Sequence, residues 1–381
     1  MALNILHTAQ QYSPSLNGIA QVVANVSTRL AANGHAVTVY TELRGTAPPE
    51  ETRDGVHIRR FANSGSLVTG IRGDARPFLE AVRSGSWDLI VMHCYQTWTT
   101  DLLLQELEEL GPPCIVVAHG LSYPKPEYKD YYSWVSRLVP KLRATVGLSA
   151  LLEDATFARD YGLPLPRVIA NGVDMAEWSM SAEGVRTRWN LVGHPWLLNV
   201  SNHNPNKGHE RLWHVADRVR RLDPGAIVTI IGGTHPAARF DLGRIGVVGG
   251  CWYKCLAKSL HGRGVRLNRG TPRSDVVSAV KEADVFLLTS RWEAYPVCIL
   301  ESMAAGTPWV SLDVGSVREN KGGIVVGDIE EMAVATDEIL RRPQLRAALT
   351  DAGVAQIRSK HNWDDIARQY ESLYLECVSG V

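Results

Sequence analysis

No sign of charge predominates in this chain: forty Lys+Arg stand against forty Asp+Glu, for a formal net charge of zero. A global field that would draw the protein to nucleic acid is therefore excluded, and any anion site must be local. Cysteine is scarce, six in 381 residues, and no C-x-x-C pair repeats. That excludes a disulfide framework and suggests free thiols in a reducing compartment. Cys251 and Cys255 form a lone Cys-Cys pair, which without a second ligand pair predicts no metal site. No apolar run approaches about 18 residues, and MALNILHTAQQYSP lacks a basic stretch followed by an apolar core, so neither a membrane span nor a signal peptide is expected. The expectation is a cytoplasmic protein, soluble or peripheral. Low-complexity tracts and internal repeats are missing too, and 45% apolar with 21% charged residues is an ordinary globular balance.

What is present is length and rhythm. At roughly 150 residues per domain, 381 residues predict two or three domains, each able to bury a core. LNILHT is a short apolar run, followed by a polar loop to Gly18 and apolar positions at Ile19, Val22, Val23, Val26, Leu30 and Ala31, the spacing of a helix. AVTVYT then completes a βαβ unit. DLIVMH and CIVVAH continue the rhythm, and both end in a histidine. A second alternating set follows residue 175, with candidate strands WLLNVSN, AIVTIIGG, DVFLLTS and PWVSLD and helical patterns HERLWHVADRVRRL and RSDVVSAVKEA. Two doubly wound α/β domains in tandem are predicted, with Asn171-Gly172 as turn and hinge chemistry between them. The tail places Trp363, Ile366, Tyr370, Leu373 and Tyr374 on one helical face, which needs a partner surface.

The densest constellation is SRWEAYPVCILESMAAGTPWVSLDVGS, residues 290 to 316. A buried strand ends at Ser290, Glu293 sits in the following loop, Pro296 suits the first turn of a helix, and Gly306 with Pro308 stops it. Glu301 therefore lies on the helix and Glu293 above the strand's carboxyl end, where open α/β sheets bind ligands. Free N–H groups around Pro296 to Ile299 would favour a phosphate, and two carboxylates beside it can accept hydrogen bonds from sugar hydroxyls. Taken singly, Glu301 reads equally as a solvated helix residue and Glu293 as a charge favoured by the helix dipole.

As a string, Glu293 and Glu301 with EAYP and ESMAAGTPWVSLDVGSVRE resemble the signature of retaining glycosyltransferases of family 4, which have the GT-B fold. Other pieces fall in that family's order: PSLNGIAQVV, VVAHG, NGVD, NKGHERL and HNWDDIARQYESLY, together spanning residues 14 to 374. The resemblance implies two Rossmann-like domains facing a central cleft: 1–172, with the 363–381 helix packing back on it, for the acceptor, and 173–362 for a nucleotide sugar. It implies that Glu293 reads donor-sugar hydroxyls, that backbone at Ala294, Tyr295, Pro296, Val297 and Cys298 approaches sugar and diphosphate, and that Glu301 binds the ribose. Gly18 would let a phosphate approach the backbone, and Lys207 would neutralise the leaving diphosphate. His119 would stand against the donor sugar, although a lone histidine there reads equally as a satisfied core residue.

Three positions depart from the family pattern. Asn202 stands where an arginine is usual, so that diphosphate contacts fall to Asn202, His203 or Arg291; Asn17-Gly18 replaces paired glycines; Ala294 replaces a common glycine. No G-x-G-x-x-G follows the first strand, which excludes a dinucleotide oxidoreductase, and P-loop, H-E-x-x-H and G-x-S-x-G strings are absent. The expected activity is retaining transfer from a UDP- or GDP-linked sugar to a hydroxyl of a saccharide or lipid-linked saccharide, by a front-face mechanism with no cofactor or metal. The alternatives are a catalytically weak nucleotide-sugar-binding scaffold or an epimerase. Residues 123–143 mix Tyr128, Tyr131, Tyr132 and Trp134 with Lys125, Lys129, Arg137, Lys141 and Arg143, the pattern of an interfacial helix at the inner membrane face and equally of a half-buried helix with a basic surface.

Overall fold

The structure, a computed structural model, describes residues 1–14, 18–233, 251–260 and 264–380. It comprises two compact units, Met1–Gly172 with Trp363–Val381, and Val173–Asn362.

The first unit is built on β1 (Asn4–Thr8), β2 (Ala36–Glu42), β3 (Glu50–Arg53), β4 (Val56–Phe61), β5 (Leu89–His93), β6 (Cys114–Val117), β7 (Ala144–Gly147) and β8 (Arg167–Val168), in the order β3-β4-β2-β1-β5-β6-β7-β8. All neighbours are parallel except β3 on β4. The central strands are apolar throughout because helices cover both faces; β5 and β6 are buried at every residue. The Gly18–Ala32 helix buries Ala20, Val22, Val23, Val26 and Leu30 but leaves Ile19 exposed, so the apolar stripe is narrower than the spacing predicted. The β3–β4 hairpin has no apolar run in β3. Its signal is Asp54-Gly55, both at positive φ, closing a two-residue loop.

The tail helix Trp363–Ser379 belongs to this unit. It buries Trp363, Ile366, Tyr370, Leu373, Tyr374 and Cys377 in the same core as Val22, Val23, Val26 and Leu30. Arg29–Asp364 and Arg167–Glu376 ion pairs, both 2.7 Å, flank that seam.

Residues 123–143 are not one interfacial helix. A turn at Pro126–Tyr128, a helix at Lys129–Leu138 and a turn at Val139–Lys141 succeed one another. Tyr131, Tyr132 and Val135 are spent on the core, with Tyr128 and Trp134 packed against it. The Tyr131 hydroxyl donates to Asp101 Oδ1 at 2.6 Å, so the aromatic half of the pattern is structural, and the basic residues remain at the surface together with Glu127 and Asp130. Among the described residues no helix is long and apolar enough to cross a membrane.

The second unit is built on β9 (Trp196–Val200), β10 (Ile227–Ile231), β11 (Val265–Asn268), β12 (Val285–Leu288), β13 (Trp309–Leu312) and β14 (Gly323–Val326), all parallel, in the order β11-β10-β9-β12-β13-β14. In the unit's own sequence this is 3-2-1-4-5-6, the doubly wound order whose ligand crevice lies outside the carboxyl ends of the first and fourth strands. Those strands are β9 and β12. The helices His209–Leu222 and Arg273–Glu282 follow the predicted patterns, while the strands end one or two residues before the predicted runs do.

Candidate active site

In the second unit the loops leaving β9 and β12 meet at the switch point. The β9 loop turns through Pro205–Lys207, where the Asn204 side chain accepts the Asn206 N–H. Gly208 follows at φ +59, and a Cβ there would lie 2.2 Å from the Thr289 carbonyl oxygen. Only glycine allows these two loops to approach so closely. Arg291 N–H donates to Asn206 O at 2.6 Å and Thr289 Oγ1 to Lys207 O at 3.2 Å, tying the loops together.

The result is a direct ion pair: Lys207 Nζ lies 2.6 Å from Glu293 Oε1, which also accepts the Ser290 hydroxyl at 2.6 Å. Burial works against the Lys207 ammonium, yet the neighbouring Glu293 carboxylate outweighs it and holds the lysine pKa above its ordinary value. Cys298 is close enough to feel both charges. Burial first, and then Glu293, push its thiol up to about 12, so it stays protonated and is no nucleophile at neutral pH.

The helix after the loop spans Val297–Ala305 with Pro296 at its N-cap, one residue earlier than the sequence predicts for proline inside the first turn. No side chain caps it, which leaves the first N–H groups to a ligand or solvent. Glu301 sits one turn in. Arg273 bonds its Oε1 and also pairs with Glu177 at 2.7 Å. Burial raises the Glu301 pKa while Arg273 opposes the shift. Arg273 is a site residue that sequence reasoning missed, since nothing but its place at the start of the Arg273–Glu282 helix marks it.

The three candidate diphosphate contacts fare differently. Asn202 is exposed, and its Oδ1 accepts the Gly233 N–H at 3.3 Å. Arg291 is exposed and paired with Glu210. His203 is fully buried, its ring packed edge-on against His209 and Trp252; this enclosure corrects the expectation that it faces a diphosphate. Ala294, Tyr295 and Pro296 line the Glu293 loop, where the Ala294 carbonyl accepts the Ser316 N–H at 3.0 Å. Beside Cys251 and Cys255, which the sequence shows as a lone pair, the structure places His203 and His209.

In the first unit, Gly18 opens its helix and is exposed, while Asn17 lies outside the described residues. His119 follows β6 at φ +56, a left-handed conformation that costs a non-glycine residue of order 1 kcal/mol and persists where surroundings enforce it. Its Nε2 lies 2.9 Å from His93 Nδ1, and His93 Nε2 lies 2.8 Å from His7 Nδ1. The three imidazoles thus form a chain across adjacent strands β1, β5 and β6. Burial lowers His7 to about 3 and His119 to about 4, and lowers His93 as well, so all three are neutral at pH 7. A neutral ring carries one N–H, so one proton serves each bond and the chain runs in one direction. The tautomer of His119 is thereby tied to that of His93. The signal was available in LNILHT, DLIVMH and CIVVAH, three apolar runs each carrying a histidine near its carboxyl end. A cavity of about 370 Å³, lined in part by Gln11, Tyr12, Glu42, Arg44 and Arg60, opens beyond β1 and β2.

Two Rossmann-like parallel-sheet units, one with an ion-paired lysine and glutamate at its switch point, define the GT-B class of glycosyltransferase. The family described as Glycosyl transferases group 1 matches residues 187–356, and Glycosyltransferase Family 4 matches residues 16–177. The chain belongs to this glycosyltransferase family. It is similar to a glycogen synthase of Mycobacterium tuberculosis, 26% identical over 99% of this chain and 96% of that protein. It is also similar to a GDP-mannose:cellobiosyl-diphosphopolyprenol alpha-mannosyltransferase of Xanthomonas oryzae, 22% identical over 99% and 97%. Among solved structures, sucrose-phosphate synthase of Thermosynechococcus elongatus superposes with a TM-score of 0.79 at 18% identity, covering 99% of both chains. HepE of Anabaena, in complex with UDP, gives 0.77 at 16% identity over 100% of both.

Proposed function

We propose that this chain transfers a hexosyl group from a nucleotide sugar, UDP- or GDP-linked, to a hydroxyl of a saccharide or lipid-linked saccharide, with retention at the anomeric carbon. The observation that carries the reading is the Lys207–Glu293 pair of 2.6 Å beside an uncapped helix N-terminus at the β9/β12 switch point. An ammonium and free N–H groups suit a diphosphate, and a carboxylate suits sugar hydroxyls. Sugar-nucleotide chemistry in relatives supports it: one solved neighbour was crystallised with UDP-glucose, and one similar enzyme is named for GDP-mannose.

In this reading Glu293 orients the sugar while Lys207 and the N–H groups at Val297 and Cys298 stabilise charge on the departing diphosphate. Glu301, with Oε1 held by Arg273, turns its other oxygen to the ribose. His119, neutral and held by His93, donates or accepts a hydrogen bond at the sugar. The departing diphosphate takes the proton of the incoming hydroxyl on the same face, which gives retention without a covalent enzyme intermediate. The first unit receives the acceptor.

The test uses UDP-, GDP- and ADP-sugars with the purified protein, following nucleotide release and the anomeric configuration of the product by NMR. Glu293→Gln and Lys207→Ala are expected to remain folded and lose turnover by at least about 100-fold. Full turnover in both overturns the site assignment. Asn202, in place of the usual arginine, favours one second reading, a nucleotide-sugar-binding scaffold; tight binding without release across acceptors would decide for it.

A further inference from the structure

Outside the proposed donor site, four metal-ligating side chains converge. His203 lies in the loop after β9, His209 opens the next helix, Cys251 immediately precedes the Trp252–Leu260 helix, and Cys255 sits in that helix's first turn. Their ligand atoms all lie within 4.8 Å of one another. His209 Nδ1 is 2.9 Å from Cys251 Sγ and 3.2 Å from His203 Nδ1, and His203 Nδ1 is 3.4 Å from Cys251 Sγ. A tetrahedral zinc ion, with bonds of about 2.3 Å to sulfur and about 2.0 Å to nitrogen, spaces its ligand atoms about 3.3–3.8 Å apart. The four side chains are therefore within a few tenths of an ångström to an ångström of a coordination shell.

We propose that His203, His209, Cys251 and Cys255 form a closed Cys2His2 site for a structural zinc ion. The local spacings, five residues between the histidines and three between the cysteines, fall within those of known structural zinc sites. The set is soft and nitrogen-rich, which selects zinc over calcium or magnesium. Two thiolates would balance the ion's charge, so the buried site is neutral overall.

The surroundings prepare the ligands. Asn199 Nδ2 donates to the Leu287 carbonyl, so its Oδ1 is free to accept the Ser201 hydroxyl at 2.6 Å. That hydroxyl's proton is thus committed, and its contact of 2.8 Å with His209 Nε2 is one in which the imidazole donates. The Nε2 position of His209 consequently carries a proton, and Nδ1 is the ring nitrogen that faces Cys251 and His203 and would bind the ion. This hydrogen bond behind a ligand histidine is what metal sites use to fix ring orientation. His203 and Cys255 are fully buried, and His203 Nε2 has no hydrogen-bond partner among the described residues. Zinc would take the lone pair of His203 Nδ1, the ring nitrogen that faces His209 and Cys251, together with the Cys255 sulfur.

The site has a structural consequence. His203 and His209 bracket the turn that carries Lys207, so the ion clamps both ends of that turn to the Trp252–Leu260 helix. The proposal stands independently of the transferase reading, because it concerns metal content and not turnover.

The experiment is metal analysis of protein expressed with zinc and purified without chelator or affinity metal, followed by exchange into Co(II). About one zinc per chain is expected, together with the thiolate-to-cobalt charge-transfer band and the intense red absorption of tetrahedral Co(II). Cys251→Ser and Cys255→Ser should each abolish the cobalt spectrum. Ser201→Ala, which leaves all four ligands, should weaken zinc affinity about 10-fold against a competing chelator, a readout that does not depend on the cysteine variants folding. Less than about a tenth of a zinc per chain with no tetrahedral Co(II) spectrum in the wild type, or a Cys251–Cys255 disulfide in protein kept anaerobic, would overturn the site.

Discussion

Gly208→Ala isolates the contact on which the donor site depends. Its backbone is left-handed at φ +59, so any Cβ adds strain of about 1–2 kcal/mol. The larger effect is positional. The new Cβ would stand 2.2 Å from the Thr289 carbonyl oxygen, where real contacts stay beyond 3.0 Å, so the β9 and β12 loops must part by about 0.8 Å. Lys207 is the preceding residue on one loop, and Ser290, which bonds Glu293, is the next residue on the other. The displacement therefore falls on the 2.6 Å Lys207–Glu293 contact and stretches it toward about 3.4 Å, where the hydrogen bond is weak. An error of that size in a catalytic geometry costs about 100-fold in rate. Gly184→Ala is the matched control: φ is +68, but nothing lies within 4 Å of its Cβ, so it carries the backbone strain without the displacement. Urea unfolding of both variants should show a loss of roughly 1–2 kcal/mol for Gly184→Ala and more for Gly208→Ala. Nucleotide-sugar turnover should fall about 100-fold only in the latter. Equal turnover in the two variants would refute the claim that this close approach sets the site.

Other residues give shorter tests. Arg273→Ala leaves Glu301 buried without its cation, so the carboxyl pKa should rise further and nucleotide affinity should fall, by about 10-fold or more in calorimetry at neutral pH. His93→Phe fills the same core position without either ring nitrogen; it should leave the fold intact by circular dichroism and reduce turnover, because His119 loses the partner that sets its tautomer. Burial raises Asp101 to about 6 from an ordinary value of 3.8. The native state thus holds the proton more tightly than the unfolded chain, and stability contributed below about pH 4 is lost as pH rises toward 6, about 3 kcal/mol in all. His119, lowered to about 4, acts with the opposite sign: stability present above about pH 6.5 is lost as pH falls toward 4. Urea titrations of wild type and Asp101→Asn at pH 4 and pH 7 should therefore diverge by about 3 kcal/mol, and parallel curves would contradict the assigned burial.

How much of this was legible in the sequence depended on whether the information was local. The central strands were readable because parallel strands covered on both faces are apolar at every position, as β5 and β6 are. Some strand ends are overrun because Ser201-Asn202 and Thr289-Ser290 follow the apolar runs with small polar residues and no Gly or Pro to mark the change. Strand β3 was missed because EETR lies at a sheet edge and buries almost nothing. The pairing of Lys207 with Glu293 needed 86 residues of chain to be folded back by strand order; each residue stood out in its own motif, but neither position states that the two side chains touch. The aromatic stretch at 123–143 shows the opposite difficulty. Its composition suits lipid and core alike, and only the position of Asp101, accepting the Tyr131 hydroxyl from another helix, assigns it to the core. The cluster of His203, His209, Cys251 and Cys255 combines both lessons. Cys251 and Cys255 are a pair readable on sight and were discounted for want of a second pair, yet His203 and His209 were equally readable one strand earlier. What no periodicity could supply is the packing of the Trp252–Leu260 helix beside the His209–Leu222 helix, which puts thiols and imidazoles into one pocket. Chemistry-bearing residues in separate motifs are therefore best weighed together once strand order is known, because a doubly wound sheet gathers the loops of one edge whatever their distance in sequence.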